Sequence, residues 1–185
     1  MNLRFLLACF AAIHFSAESH AQTPALSLPL PSLSIEDKGQ LIAAADDYVF
    51  ARWTSSQNPQ KTHVLQYFPA TVGDKKIFEP FTDLLQAELD YNDFHVTTIV
   101  NLDAALWGTT GFVISEVKGK KNEFPMATLV VDADGLGEQT WALGNKGALL
   151  VVLDTQGMVQ FITREAMDES TMTSTLELMR TLIKS

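Results

Sequence analysis

Sulfur, imidazole and clustered carboxylate are the side chains from which chemistry would first be expected in this chain. Cysteine occurs once, at Cys9, and the histidines are His14, His20, His63 and His95. A lone thiol forms neither an internal disulfide nor a Cys-x-x-Cys pair. His63 and His95 lie near the starts of two β-rich runs, THVLQYF and HVTTIV. They lack His-Glu-x-x-His spacing and an obvious third ligand, so they read as half-exposed strand residues rather than a zinc site. Asp132, Asp134, Glu138 and Asp154 crowd two Gly-containing turns. A calcium loop needs oxygen ligands spread over about twelve positions, and here the acids stop early, so they read as turn residues. Lys118, Lys120 and Lys121 flank Gly119 beside Glu116 and Glu123, too short a run for a polyanion and suited to a solvated helix end. Thr71 is a hydroxyl near a helix start, but a threonine nucleophile needs a base in reach, and no Gly-x-Ser-x-Gly elbow offers a serine instead. Neither a metal nor a cofactor is expected.

Charge narrows the partners. Thirteen Lys and Arg stand against 22 Asp and Glu, a balance of −9 in 185 residues, which repels nucleic acid and anionic lipid. With 46% hydrophobic and 19% charged residues the chain has enough apolar surface to fold.

The compartment is legible at the start of the chain. Arg4, the mostly apolar run Phe5 to Phe15, and Ser19-His20-Ala21 form a secretory signal peptide, residues 1–21, with cleavage expected between Ala21 and Gln22. The run is too short to span a bilayer, and no later stretch does better. Leu6-Leu7-Ala8-Cys9 loosely resembles a lipidation box but places Cys9 too early. Removing 21 of 185 residues leaves 164 with no cysteine. A secreted chain without disulfides points to the periplasm of a Gram-negative bacterium.

The elements follow from periodicity. Residues 22–31, with Pro24, Pro29 and Pro31, form an extended lead-in to one domain over 32–185. Ser32 to Ile35 and Gln40 to Ile42 flank Asp37-Lys38-Gly39, which reads as the turn of an N-terminal hairpin. Thr62 to Phe68 is a strand; Lys75 to Leu89 has helical spacing with Asp74 as N-cap; His95 to Val100 is the next strand. A helix from about Phe112, a strand Ala127 to Val131 and a short helix Glu138 to Leu143 follow. Ala148 to Leu153 and Met158 to Thr163 form a hairpin, and Asp168 to Lys184 is a last amphipathic helix. The order is βαβ then ββα: an α/β, thioredoxin-like plan with a central mixed sheet, helices on both faces and an N-terminal β-hairpin extension.

Particular residues carry a resemblance. The stretches Leu30 to Ile42 and Phe124 to Phe161 are similar to those of periplasmic redoxins. Val64-Leu65-Gln66, Thr97 to Ala104, Trp107-Gly108-Thr109, Phe112-Val113, Val130 to Gly135 and Val151 to Asp154 resemble the YtfJ family of periplasmic thioredoxin-like proteins, over about residues 30 to 184. The chain departs from that family's pattern of acid, Gly and Met at Ala104, Thr110 and Gly111. The resemblance implies the thioredoxin-like fold and no established activity; the family is often labelled a transcriptional regulator.

On this plan Cys-x-x-Cys would lie at Pro69-Ala70-Thr71-Val72-Gly73-Asp74, which has no sulfur, and the cis-proline position is Gly147-Ala148. Dithiol exchange and one-cysteine peroxidase activity are therefore not expected. Ligands of α/β sheets gather beyond the carboxyl ends of parallel strands. That edge should hold Thr71, Gly73, Asp74, Asn101, Asp103, Trp107 and Gly147 as ligand-binding candidates, with no catalytic residue assigned. The plainer alternative has Trp107 plugging the core and Asp103 capping the next helix. The expected role is a redox-inactive periplasmic binding or accessory module for a protein or small polar ligand. The alternatives are an enzyme with a non-thiol site and a DNA-acting regulator, the latter opposed by the export signal and the acidic charge.

Overall fold

The computed structural model describes residues 21–45, 47–57, 60–71, 73–145 and 147–185, so the expected signal peptide lies outside the described residues except for Ala21. Among the described residues seven strands form one mixed sheet in the order β2-β1-β5-β4-β3-β6-β7. The strands are β1 (Ser34–Ala43), β2 (Tyr48–Thr54), β3 (Thr62–Pro69), β4 (Phe94–Asn101), β5 (Thr128–Asp132), β6 (Leu149–Leu153) and β7 (Val159–Thr163). The α-helices are α1 (Glu79–Glu88), α2 (Thr110–Glu123), α3 (Leu136–Thr140) and α4 (Glu169–Ile183). None of these helices is long and apolar enough to cross a membrane.

The expected parallel pair is a parallel trio. β3 runs parallel to β4 and β4 to β5, while β6 is antiparallel to β3 on its other side. All eight residues of β3 are buried, as befits a strand covered on both faces. Both crossovers move the chain the same way along the sheet, so right-handed connections put α1 and α2 on one face. Phe81 and Leu85 of α1, Val113 and Val117 of α2, and Leu176 and Met179 of α4 accordingly share one core cluster with Val64, Leu129 and Leu150. The chain then returns from β5 to β6 across the opposite face, where Leu65, Tyr67, Ile99, Trp141 and Leu149 form the second cluster.

Three local expectations change. Asp37-Lys38-Gly39 is not the hairpin turn. Lys38 (φ 59) and Gly39 (φ 74) form a bulge inside one continuous strand, and β1 joins β2 through residues 44–47. The bulge exists because β1 serves two neighbours: Lys38–Gln40 pair with Asp132–Val130 of β5, while the β2 register jumps from Ile35↔Trp53 to Gln40↔Ala51. Only glycine fits at Gly39, where a Cβ would strike the Ala51 carbonyl. The helix expected from Lys75 is broken into a 3-10 turn, Asp74–Lys76, and an α-helix from Glu79. Pro80 explains the break, because it lacks an N–H and is accommodated only in a first turn. His63 is not half exposed but 4% exposed, inside the sheet. α4 starts as expected, with the Thr171 amide donating to Asp168 Oδ1 at 2.7 Å.

Candidate functional site at the carboxyl edge

Strand register brings the last residues of the parallel trio into one row. Pro69 pairs with Asn101, and Asn101 with Asp132. The loops after β3, β4 and β5 therefore emerge side by side, and Gly147, just before β6, meets them because Leu149 pairs with Tyr67 near the end of β3. The seven expected residues do collect at one edge. They do not form one cluster.

Thr71 and Asp74 close on each other. The Thr71 hydroxyl donates to Asp74 Oδ2 at 2.5 Å, and the Asp74 amide donates back to Thr71 Oγ1 at 3.2 Å. This reciprocal clasp opens the 3-10 turn and uses the hydroxyl as both donor and acceptor. The histidines stand at the opposite ends of the strands, so no imidazole base serves Thr71. Gly73 sits inside the clasp, and a side chain there would meet nothing within 4 Å.

Asn101 and Asp103 converge on Gly135, whose αL backbone (φ +65) begins the turn into α3. A Cβ on Gly135 would lie 3.5 Å from both Asn101 Oδ1 and Asp103 Cβ. Asn101 is 1% exposed; its Nδ2 donates to Glu138 Oε2 at 3.2 Å, and its Oδ1 has no hydrogen-bond partner. Asp103 is exposed. It does not cap the next helix, since the N-cap of α2 is Thr109.

Trp107 does not plug the core: its exposure is 101%, and Leu106 and Phe112 beside it are 63% and 65% exposed. Two consecutive turns hold this loop, with the Ala105 amide on the Leu102 carbonyl (3.0 Å) and the Thr109 amide on the Leu106 carbonyl (3.0 Å). Gly147 is a packing residue. Its amide bonds the Gly144 carbonyl at 3.1 Å, and a Cβ would strike the Leu143 carbonyl.

Beneath this edge lies a polar network that sequence reasoning missed. Asp132, expected in an exposed turn, is fully buried. Its Oδ1 accepts from the Leu136 amide (3.0 Å), and its Oδ2 from the Gly137 amide (2.8 Å) and the Tyr67 hydroxyl (3.1 Å). The Tyr67 oxygen in turn accepts from the Glu138 amide at 3.0 Å. Burial, and then the neighbouring Asp132 charge, push the Tyr67 phenol far above its usual range. Trp141 packs edge-on against Tyr67 and donates its Nε1–H to the Pro31 carbonyl at 2.9 Å, tying the lead-in to the same network. Gly137 is the sequence trace of this arrangement: any side chain there would enter the Tyr67 ring.

The basic run is spent on structure. Lys118 pairs with Asp47 at 2.8 Å, Lys120 with Glu123 at 3.1 Å, and Lys121 Nζ donates to the Pro125 (2.8 Å) and Ala127 (2.6 Å) carbonyls. Among the described residues no three His, Cys, Asp or Glu side chains are grouped to hold a metal ion.

The comparisons agree with this architecture. The model of the YtfJ_HI0045 family, described as a bacterial protein of unknown function, matches residues 25–182. An uncharacterised protein of Haemophilus influenzae is 28% identical over 181 residues, 97% of this chain and 98% of its own length. The uncharacterised protein YtfJ of Escherichia coli strain K12 is 29% identical over 156 residues, 84% of this chain and 85% of its own. Among solved structures, the crystal structure described as a thiol:disulfide interchange protein DsbE from Chlorobium tepidum superposes with a TM-score of 0.59 at 14% identity. That match covers 87% of this chain and 99% of the other, and it shows the thioredoxin-like fold alone.

Proposed function

The chain belongs to the YtfJ_HI0045 family and has a thioredoxin-like fold, and from that premise we propose that it is a periplasmic binding or accessory module without thiol chemistry. It works at the carboxyl edge of its parallel strands. The observation that carries this reading is Trp107, wholly exposed on the loop that follows β4, with the exposed Leu106 next to it and the exposed Phe112 in the first turn of α2. Burying a tryptophan is strongly favourable, so a solvated one in an apolar patch marks a surface that is covered when a partner is present. The Thr71–Asp74 clasp stands where a redoxin would carry its cysteines, and Cys9 falls within the expected signal peptide. No arrangement at the edge favours the enzyme or the DNA-binding reading.

Capture from a cell-envelope extract tests the binding role. A partner retained by the wild-type protein and lost with both Trp107→Ala and Asp103→Ala supports the site; equal capture by all three overturns it. The mature protein should show no insulin reduction or peroxide turnover, and either activity overturns the thiol-free reading. Intact mass of the exported protein should correspond to a chain starting at Gln22, and an uncleaved chain overturns the compartment.

A further inference from the structure

The patch on the β4–α2 loop also specifies the chemistry of what covers it, an inference that rests on the binding reading above. We propose that this edge docks an extended peptide segment in which apolar residues alternate with lysine or arginine.

The apolar half is three exposed side chains within seven residues of the chain, Leu106, Trp107 and Phe112. The two other tryptophans, Trp53 and Trp141, are interior at 3% and 0% exposure, so only Trp107 is spent on the surface. The electrostatic half is the sign of the surroundings. Of the loops that meet at this edge, 101–109 and 132–138, on the Trp107 side, carry Asp103, Asp132, Asp134 and Glu138 and neither Lys nor Arg, whereas Asp74 is followed by Lys75 and Lys76 and the loop before β6 contains Lys146. Asp132 is buried under α3 and Asp74 is engaged by Thr71, but Asp103 and Asp134 are both exposed, and Asp103 leans on Gly135, next in the chain to Asp134. The whole chain carries −9 in the same sense.

A cation placed over the Trp107 face gains the attraction of the ring quadrupole as well as that of Asp103. The exposed Leu106 next to Trp107 favours an aliphatic side chain beside the cation. A single small ammonium would satisfy only one of these contacts, whereas an extended peptide presents side chains at regular intervals and can meet the apolar and acidic groups together. The same negative field disfavours acidic peptides, nucleic acid and anionic lipid.

Trp107 supplies its own reporter, because acrylamide should quench it ahead of the two interior tryptophans. The mature protein is titrated with short, tryptophan-free, end-blocked peptides that alternate leucine with lysine, glutamate or serine. The lysine peptide is expected to shift the emission to the blue and protect it from acrylamide. Its affinity should fall steeply with added salt, and by about two- to five-fold in Asp103→Asn, the loss of one exposed charge pair. Calorimetry with Trp107→Ala should show binding of the lysine peptide weakened at least as much. Equal protection by the glutamate or serine peptide overturns the cationic assignment and leaves the edge standing as an apolar docking surface. Lysine-peptide binding undiminished in Trp107→Ala places the segment elsewhere and overturns the proposal. Failure of every peptide to protect Trp107 also overturns it, and the envelope capture then decides separately whether the edge binds anything.

Discussion

The two ends of the parallel strands handle their polar residues in opposite ways. At the amino end, His63 and His95 meet edge-on with ring centroids 5.2 Å apart. Each ring reaches a threonine on the next strand, His63 Nε2 to Thr97 Oγ1 at 2.8 Å and His95 Nε2 to Thr128 Oγ1 at 2.9 Å. Burial, and then its neighbour His95, push the His63 pKa down to about 3; burial and the Lys61 and Lys121 charges lower that of His95. His63 is thus buried, bonded and neutral, and His95 beside it is half-buried and bonded. At the carboxyl end the order is inverted: the polar network is buried, and an aromatic side chain is turned outward. Residue type points to the amino end as the place for chemistry, while environment points to the carboxyl end as the place for contact.

The contrast breaks first at Asp132. Asp132→Ala strips the partners from the buried Leu136 and Gly137 amides and the Tyr67 hydroxyl, and should cost about 3 kcal/mol or more in urea unfolding. A loss below about 1 kcal/mol would mean that the network is not sealed from water.

Next comes acid. His63 is neutral in the folded chain down to about pH 3 but takes a proton in the unfolded chain below the ordinary imidazole value of 6.5. Its contribution is therefore fully present above pH 6.5 and is lost as pH falls toward 3, at up to about 1.4 kcal/mol per pH unit. Unfolding free energies between pH 7 and 5 should fall faster for wild type than for His63→Gln; parallel curves would show that His63 is hydrated.

Tyr67→Phe keeps the ring against Trp141 and removes only the hydroxyl, so it should cost about 1–2 kcal/mol and leave the far-ultraviolet dichroism unchanged. The smallest effect belongs to Trp107→Ala. It should alter stability by less than about 0.5 kcal/mol while abolishing the acrylamide-accessible emission. A larger loss would show that Trp107 packs against the protein in solution.

The regular elements were legible because apolar periodicity and β-branched runs reflect burial directly. Strands β3 to β7, the last helix with its Asp168 cap, and the gathering of Thr71, Asn101, Asp103 and Gly147 at one edge all follow from it. Asp132 was not legible for an instructive reason. Asp132-Ala133-Asp134-Gly135 and Asp154-Thr155-Gln156-Gly157 share one local pattern, and Asp154 is the turn residue that the pattern suggests, accepting from the amides of Gln156 (2.9 Å) and Met158 (3.0 Å). Asp132 differs only through tertiary neighbours: β5 is covered on both faces and Tyr67 arrives from another strand. The bulge at Lys38–Gly39 was misread because a turn and a bulge require the same positive-φ residues. β2 was missed although YVFARWT is strand-like, since the turn had been placed too early. Whether Trp107 is exposed or plugs the core was not legible, because composition does not say which of three tryptophans lies outside.

The β1 bulge bears on the order of assembly. Among the described residues the strand pairing that joins the β1–β2 ribbon to the rest of the sheet runs through Lys38–Gln40 and the far later residues Val130–Asp132. A two-stranded ribbon alone is marginal in water, so the first strands to leave the ribosome have no lasting partner until β5 has been made and laid beside β4. The N-terminal hairpin is therefore the earliest element synthesised and among the last secured. In the interval its unpaired edges are the stretch of the chain most in need of protection from aggregation.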